Sequence, residues 1–160
     1  MVRLNFQMPL LDKETSYMYD ELYDAIMKVD FKKAERIFLE FSTEIQKEVI
    51  EKLVYRTESM IIYLFIQYIN QRQEKITFHE IQFDMLTNAL CHIEGAYQMA
   101  LFHNQRLLEM NPESVRYMEW MLSLYDVKVI DNEKALDIVN KLLKYDDKNF
   151  IGNMMIKRIN

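Results

Sequence analysis

Apolar residues recur every three or four positions along almost the whole chain, and polar residues mark where each run stops. Tyr19, Leu22, Tyr23 and Ile26 stand at i, i+3, i+4 and i+7, one face of a helix predicted from Ser16 to Lys28 with Thr15 as N-cap. Asp30 is the predicted cap of a second helix, in which Ala34, Ile37, Phe38 and Phe41 share a face. Thr43-Glu-Ile-Gln46 has capping-box spacing and opens a third, carrying Ile45, Val49, Ile50 and Leu53. Thr57 is the predicted cap of a fourth, Glu58 to Arg72, which is apolar on nearly every side and so is expected to be covered all round. The pattern leaves open whether the third and fourth are one helix running across Arg56.

Thr77-Phe-His-Glu80 repeats the capping-box spacing before Ile81, Met85, Leu86, Ala89, Leu90 and Ile93, and Gly95 is expected to close that fifth helix. The sixth carries Met99, Ala100, Leu107 and Leu108. Asn111-Pro112 then predicts the cap and first residue of a seventh, running to about Val127 and burying Val115, Met118, Met121, Leu122 and Tyr125. Asp131 caps an eighth with Ala135, Ile138, Val139 and Leu142, and Asp147 a ninth from Phe150 to Ile159. No stretch alternates with period two, so no sheet is expected. The fold class is all-α: an N-terminal arm, 1–14, followed by one domain, 15–160, of four antiparallel hairpins and a terminal capping helix. In the arm Pro9 breaks any early helix, and Leu10-Leu11 is placed to fold back as an apolar latch.

Three of these helices share a smaller pattern. A turn residue precedes an alanine in Asp30-Phe-Lys-Lys-Ala34, Gly95-Ala-Tyr-Gln-Met-Ala100 and Asp131-Asn-Glu-Lys-Ala135. The alanines stand 66 and 35 residues apart, close to multiples of the 34-residue helix–turn–helix period. Where two helices cross closely only a small side chain fits, which is the physical reason for an alanine there. Gly95, Ala100 and Pro112, together with Leu107-Leu-Glu-Met-Asn-Pro112, resemble the second helix and exit turn of a tetratricopeptide repeat. The Asp131 unit resembles the same segment, with Asp147 at the proline's place, whereas the Asp30 unit matches only at Ala34 and Phe38. The family's tryptophan-leucine-glycine signature is missing, and Trp120 lies two positions from where Pro112 would set it. The resemblance implies a right-handed superhelix of stacked hairpins with a concave, protein-binding face.

Composition narrows the function classes. Half of the 160 residues are apolar and 28% charged, as in a globular domain, and two glycines with two prolines suit long helices joined by short turns. A net charge of −5 without a Lys/Arg cluster argues against nucleic acid as partner. The longest apolar run, Met60 to Ile66, is too short to span a bilayer, so no membrane association is expected. The lone Cys91 forms no internal disulfide and suits a reducing cytoplasm, and the first nine residues carry no leader-like apolar region.

Candidate chemistry is sparse. His79, His92 and His103 are the potential metal ligands, but no His-Glu-x-x-His or Cys-x-x-Cys spacing occurs, nor a Gly-rich phosphate loop or a Gly-x-Ser-x-Gly elbow. A metal-binding or enzymatic reading would need His92 and His103 to converge with a carboxylate. No cofactor is expected. Trp120 lies opposite the main stripe of the seventh helix, near Tyr117, Leu124 and Val127, which gives that helix two apolar faces. One reading buries the second face against the preceding hairpin; the other leaves it open as an anchor for a partner. Tyr17, Tyr19 and Tyr23 crowd the first helix, of which one side alone faces the core. Tyr17, Tyr19, Tyr23, Tyr117, Trp120 and Leu124 are therefore the candidate partner-binding residues. The expected function is non-enzymatic binding of another protein or peptide. By analogy with small solitary helical-repeat proteins, an immunity or antitoxin inhibitor covering a toxin is the first expectation, and a peptide-sensing or regulatory adaptor the second.

Overall fold

The computed structural model describes residues 13–159 in backbone and 17–159 in side chains. Those residues form nine helices: α1 (Lys13–Met27), α2 (Phe31–Glu40), α3 (Thr43–Thr57), α4 (Met60–Arg72), α5 (Ile76–Thr87), α6 (Ala96–Met110), α7 (Val115–Ser123), α8 (Asn132–Tyr145) and α9 (Phe150–Ile159). The fold is all-α, without strands among the described residues. The proposed latch at Leu10-Leu11 lies outside them. The chain is already helical at Lys13, so Thr15 sits inside α1 rather than capping it.

Neighbouring helices pack in pairs, α1 on α2, α5 on α6 and α7 on α8, while α4 touches α1, α2, α3 and α5. The centre of the core lies at this junction. Phe38 of α2 meets Phe65 of α4 edge-on at 5.5 Å between ring centroids, and Phe78 of α5 at 6.3 Å. All three rings are fully buried. Removing one ring, as in Phe38→Ala, would cost about 3–5 kcal/mol by the usual scale for buried aromatic truncation. Coverage of α4 is less complete than its composition predicts, because Leu64 remains about half exposed.

Two hairpins turn by the same device. In α1–α2 the Asp30 N–H donates to the Ala25 carbonyl and the Val29 N–H to that of Ile26, with Val29 at φ 60°. In α7–α8 the Val129 N–H donates to Leu124 and the Lys128 N–H to Tyr125, with Lys128 at φ 59°. Both have the Schellman pattern, at the end of α1 and in the turn that follows α7, where a left-handed residue lets the chain satisfy otherwise orphan carbonyls. A β-branched side chain in that conformation is strained, by roughly 1–2 kcal/mol. An aspartate follows each time and caps the next helix, Asp30 accepting from the Lys33 N–H and Asp131 from that of Lys134. Ala34, Ala100 and Ala135 are all completely buried, where a longer side chain would push helices apart.

Several boundaries move from their predicted places. Ser42, Ser59 and Ser114 cap α3, α4 and α7, rather than Thr43, Thr57 and Asn111. Helices α3 and α4 are separate, broken where Glu58 takes a left-handed φ of 47°. Lys75 precedes α5 without a side-chain cap, so Thr77 lies within the helix. Residues 88–95 form turns, and Gly95, at φ 81°, starts α6 instead of closing α5. Helix α7 ends at Ser123, four residues short of Val127. Gln46 of α3 reaches back to donate to the Phe38 and Phe41 carbonyls at 3.2 and 3.0 Å, covering the orphan acceptors at the end of α2.

Candidate functional site

Tyr63, Gln67 and Asn70 fall on one side of the otherwise apolar α4, and this polar stripe meets His79 and Gln82 of α5 and His103 of α6. His103 and Gln82 are fully buried, and His79, Asn70 and Tyr63 nearly so. The two imidazoles touch through their Nδ1 atoms at 2.9 Å. On its far side His79 Nε2 lies 2.9 Å from Glu74 Oε1, and His103 Nε2 lies 2.9 Å from the Tyr63 hydroxyl. Arg106 closes the outer end, its Nε and Nη2 donating to Glu74 at 3.0–3.1 Å, and it also donates to Glu109.

One arrangement of protons satisfies these contacts. The hydrogen bonds from His79 and then Arg106 hold the Glu74 carboxyl below its ordinary range, so it is an anion and accepts from His79 Nε2–H. With that nitrogen carrying the ring proton, His79 Nδ1 can accept from His103 Nδ1–H, and His103 Nε2 from the Tyr63 O–H. In this arrangement every donor on the chain from Tyr63 to Glu74 meets an acceptor. Asn70, 3.3 Å from His79 Nε2, instead donates to Gln82 at 3.0 Å, and Gln82 donates to Gln67 at 2.6 Å. Burial, and secondarily the nearby His79, pushes His103 down to about 3, while burial raises Tyr63 to about 12. Both stay neutral at pH 7.

The convergence of His92 with His103 that a metal-binding or enzymatic reading would need does not form. His92 stands exposed in the turn after α5, and the partner of His103 is His79. The remaining donors lie on the outer edges of the two rings rather than around a common point. Among the described residues no group of three or more His, Cys, Asp or Glu is placed to hold a metal ion.

Of the residues predicted to bind a partner, Tyr17 is 71% exposed on the outer side of α1. Tyr19 and Tyr23 pack partly against the core, and the Arg56 guanidinium lies 5.3 Å over the Tyr23 ring. Asp20, Glu21 and Asp24 stand beside them, but Glu21 already pairs with Lys33 at 2.8 Å and Asp24 with Lys28 at 3.6 Å. The second apolar face of α7 is largely covered, with Trp120 left partly exposed. Leu124 and Tyr117 are buried, and the Tyr117 hydroxyl donates to Glu80 of α5 at 2.7 Å. Burial first, then that bond, raises Tyr117 to about 12. Trp120 stacks on Phe83 of α5, 4.7 Å between centroids and 2° from parallel, with the Arg116 guanidinium 4.4 Å over its ring. That face therefore cements α7 to the preceding hairpin.

A groove unforeseen in the sequence runs between α6 and α8. Its volume is about 600 Å³. Leu108 and Ile138, with Met118 and Met121 of α7 beneath, make an apolar floor, and Pro112 closes one end. Gln105 and Glu109 line the α6 wall; Lys134, Lys141, Lys144 and the half-exposed Tyr145 line that of α8. The available signal was the run Lys134, Ile138, Lys141, Tyr145, spaced four, three and four, a mixed apolar–basic stripe on the edge of the α8 core face. No helix among the described residues is long and apolar enough to cross a membrane. No protein-family model, curated protein or solved structure matches this chain.

Proposed function

We propose that the chain is a non-catalytic, helical-repeat protein-binding module that takes a segment of a partner protein into the α6–α8 groove. The observation that carries this reading is the groove's construction, an apolar floor between walls of long polar side chains and Tyr145. Recognition sites commonly combine apolar contact area with a few polar groups that orient the ligand, and a volume of about 600 Å³ suits several side chains of a peptide. Helix-lined grooves of this kind take amphipathic segments through regularly spaced anchors.

The test is selection of short peptides from a random display library against the folded protein, followed by backbone amide shift mapping of the tightest binders. Shifts should concentrate at residues 105–121 and 134–145. Failure to select any peptide, or shifts confined to other helices, would overturn the reading.

An immunity- or antitoxin-type inhibitor is the second reading, favoured by exposed Tyr17 beside the acidic side chains of α1. An acidic, aromatic face suits a basic toxin surface. It ranks second because Lys33 and Lys28 already neutralise Glu21 and Asp24, which leaves little net charge at that face.

A further inference from the structure

Resting on the groove reading above, we infer that the segment held there is an acidic amphipathic helix, with carboxylates about seven residues apart beside its apolar anchors. The argument begins with charge. The whole chain carries −5, yet the groove gathers three lysines against one glutamate. That glutamate, Glu109, is bound by Arg106. Lys141 pairs with Asp137 of its own helix at 2.9 Å, whereas Lys134 and Lys144 stand in no ion pair among the described residues. A positive strip on a negative molecule attracts an acidic partner and orients it, while repelling a basic one.

Spacing sets the register. Lys134 and Lys141 lie two turns apart on α8, about 10 Å at 1.5 Å per residue, and Lys144 lies about 15 Å from Lys134. A helix laid alongside α8 meets those ammonium groups with carboxylates at i, i+7 and i+10. Between the lysines Ile138 rises from the floor, opposite Leu108, so the intervening side chains of the partner must be apolar. Two helices already form the walls, and a third helix fits between such walls by the ordinary interlocking of side-chain ridges. The apolar floor also favours a protein over a nucleic acid. A polyanion would gain three lysine contacts, no arginine, and repulsion from the remaining negative charge.

Three fluorescein-labelled 14-residue helical peptides provide the test. Each has the same leucine face, flanked by Glu, by Gln or by Lys, and a labelled 14-nucleotide oligothymidine is the fourth probe. Anisotropy is read at 50 and 300 mM NaCl with the wild-type protein and with a Lys134→Gln, Lys144→Gln double variant. The Glu peptide should bind about tenfold tighter than the Gln peptide at low salt, and lose most of that advantage at high salt. The double variant, checked for an unchanged circular dichroism spectrum, should bind Glu and Gln peptides alike. If the Gln or Lys peptide binds as well as the Glu peptide, the acidic-partner inference fails while the groove reading stands. Binding of no peptide removes both. Oligothymidine binding more tightly than any peptide would assign the lysines to nucleic acid and overturn the inference.

Discussion

Helix α6 separates two kinds of polar site. Toward α4 and α5 it presents His103 to a buried chain in which each donor already has an acceptor, from Tyr63 through His79 to Glu74. Toward α8 it presents Gln105 and Glu109 to a groove whose lysines are at most half engaged. The difference teaches which polar groups are available for function. Buried polar groups must be satisfied within the fold or they destabilise it, so a completed internal network contributes to stability and specificity of packing. Solvated charges beside an apolar floor cost the fold little, and they are free to meet another molecule.

The largest effect that would break this contrast is acid sensitivity. His103 sits at about 3 in the folded chain against about 6.5 when unfolded. The folded state therefore binds fewer protons than the unfolded state between those values. Stability from this group is fully present above about pH 6.5 and is lost as pH falls towards 3, by about 3 kcal/mol at pH 4. The depressed carboxyl of Glu74 acts in the same direction. Urea unfolding at pH 7 and pH 4 should show a loss in the wild type larger by about 3 kcal/mol than in His103→Asn, which does not titrate. Equal acid losses in the two proteins would mean that His103 is not held neutral by its surroundings.

A smaller effect is expected at the neutral end of the chain. Tyr63→Phe leaves the buried His103 Nε2 without its donor and should cost about 1–3 kcal/mol at pH 7, measured by the same unfolding. A change below about 0.5 kcal/mol would show that this hydrogen bond is replaceable and the network less complete than described. The smallest effect belongs to the groove. Replacing Lys134 and Lys144 by Gln should shift stability by no more than about 0.5 kcal/mol. A loss above about 1 kcal/mol would make those lysines structural and erase the distinction between the two sides of α6.

The helices were legible because their signals are local. Asp30 and Asp131 were recognised as caps, and the face containing Ala34, Ile37 and Phe38 is the one that α2 buries. Errors gathered where neighbouring residues offered the same chemistry. Ser42, Ser59 and Ser114 each stand within three residues of the Thr or Asn chosen from the pattern, and which hydroxyl caps depends on which residue adopts extended backbone. Gly95 reads as an ending because glycine so often follows a helix, but here the chain first leaves α5 through residues 88–95 and uses Gly95 to enter α6.

Function was less legible. Trp120 and Tyr117 stand out by residue type, yet Phe83 and Glu80 of α5 meet them, and periodicity alone places neither opposite α7. The groove is not legible in the sequence because its parts are ordinary surface lysines and core-edge aliphatics until α7 sets α6 and α8 on either side of it. The sequence by itself determined an all-α chain and which face of most helices is apolar, since both follow from a 3.6-residue period and from capping chemistry within one turn. Tertiary structure alone decided that His79, not His92, meets His103, that Trp120 stacks on Phe83, and that three lysines border one groove. Those outcomes depend on how far each turn displaces the next helix and at what register two helices cross. Both are set by the packing of many side chains at once, and no local spacing records them.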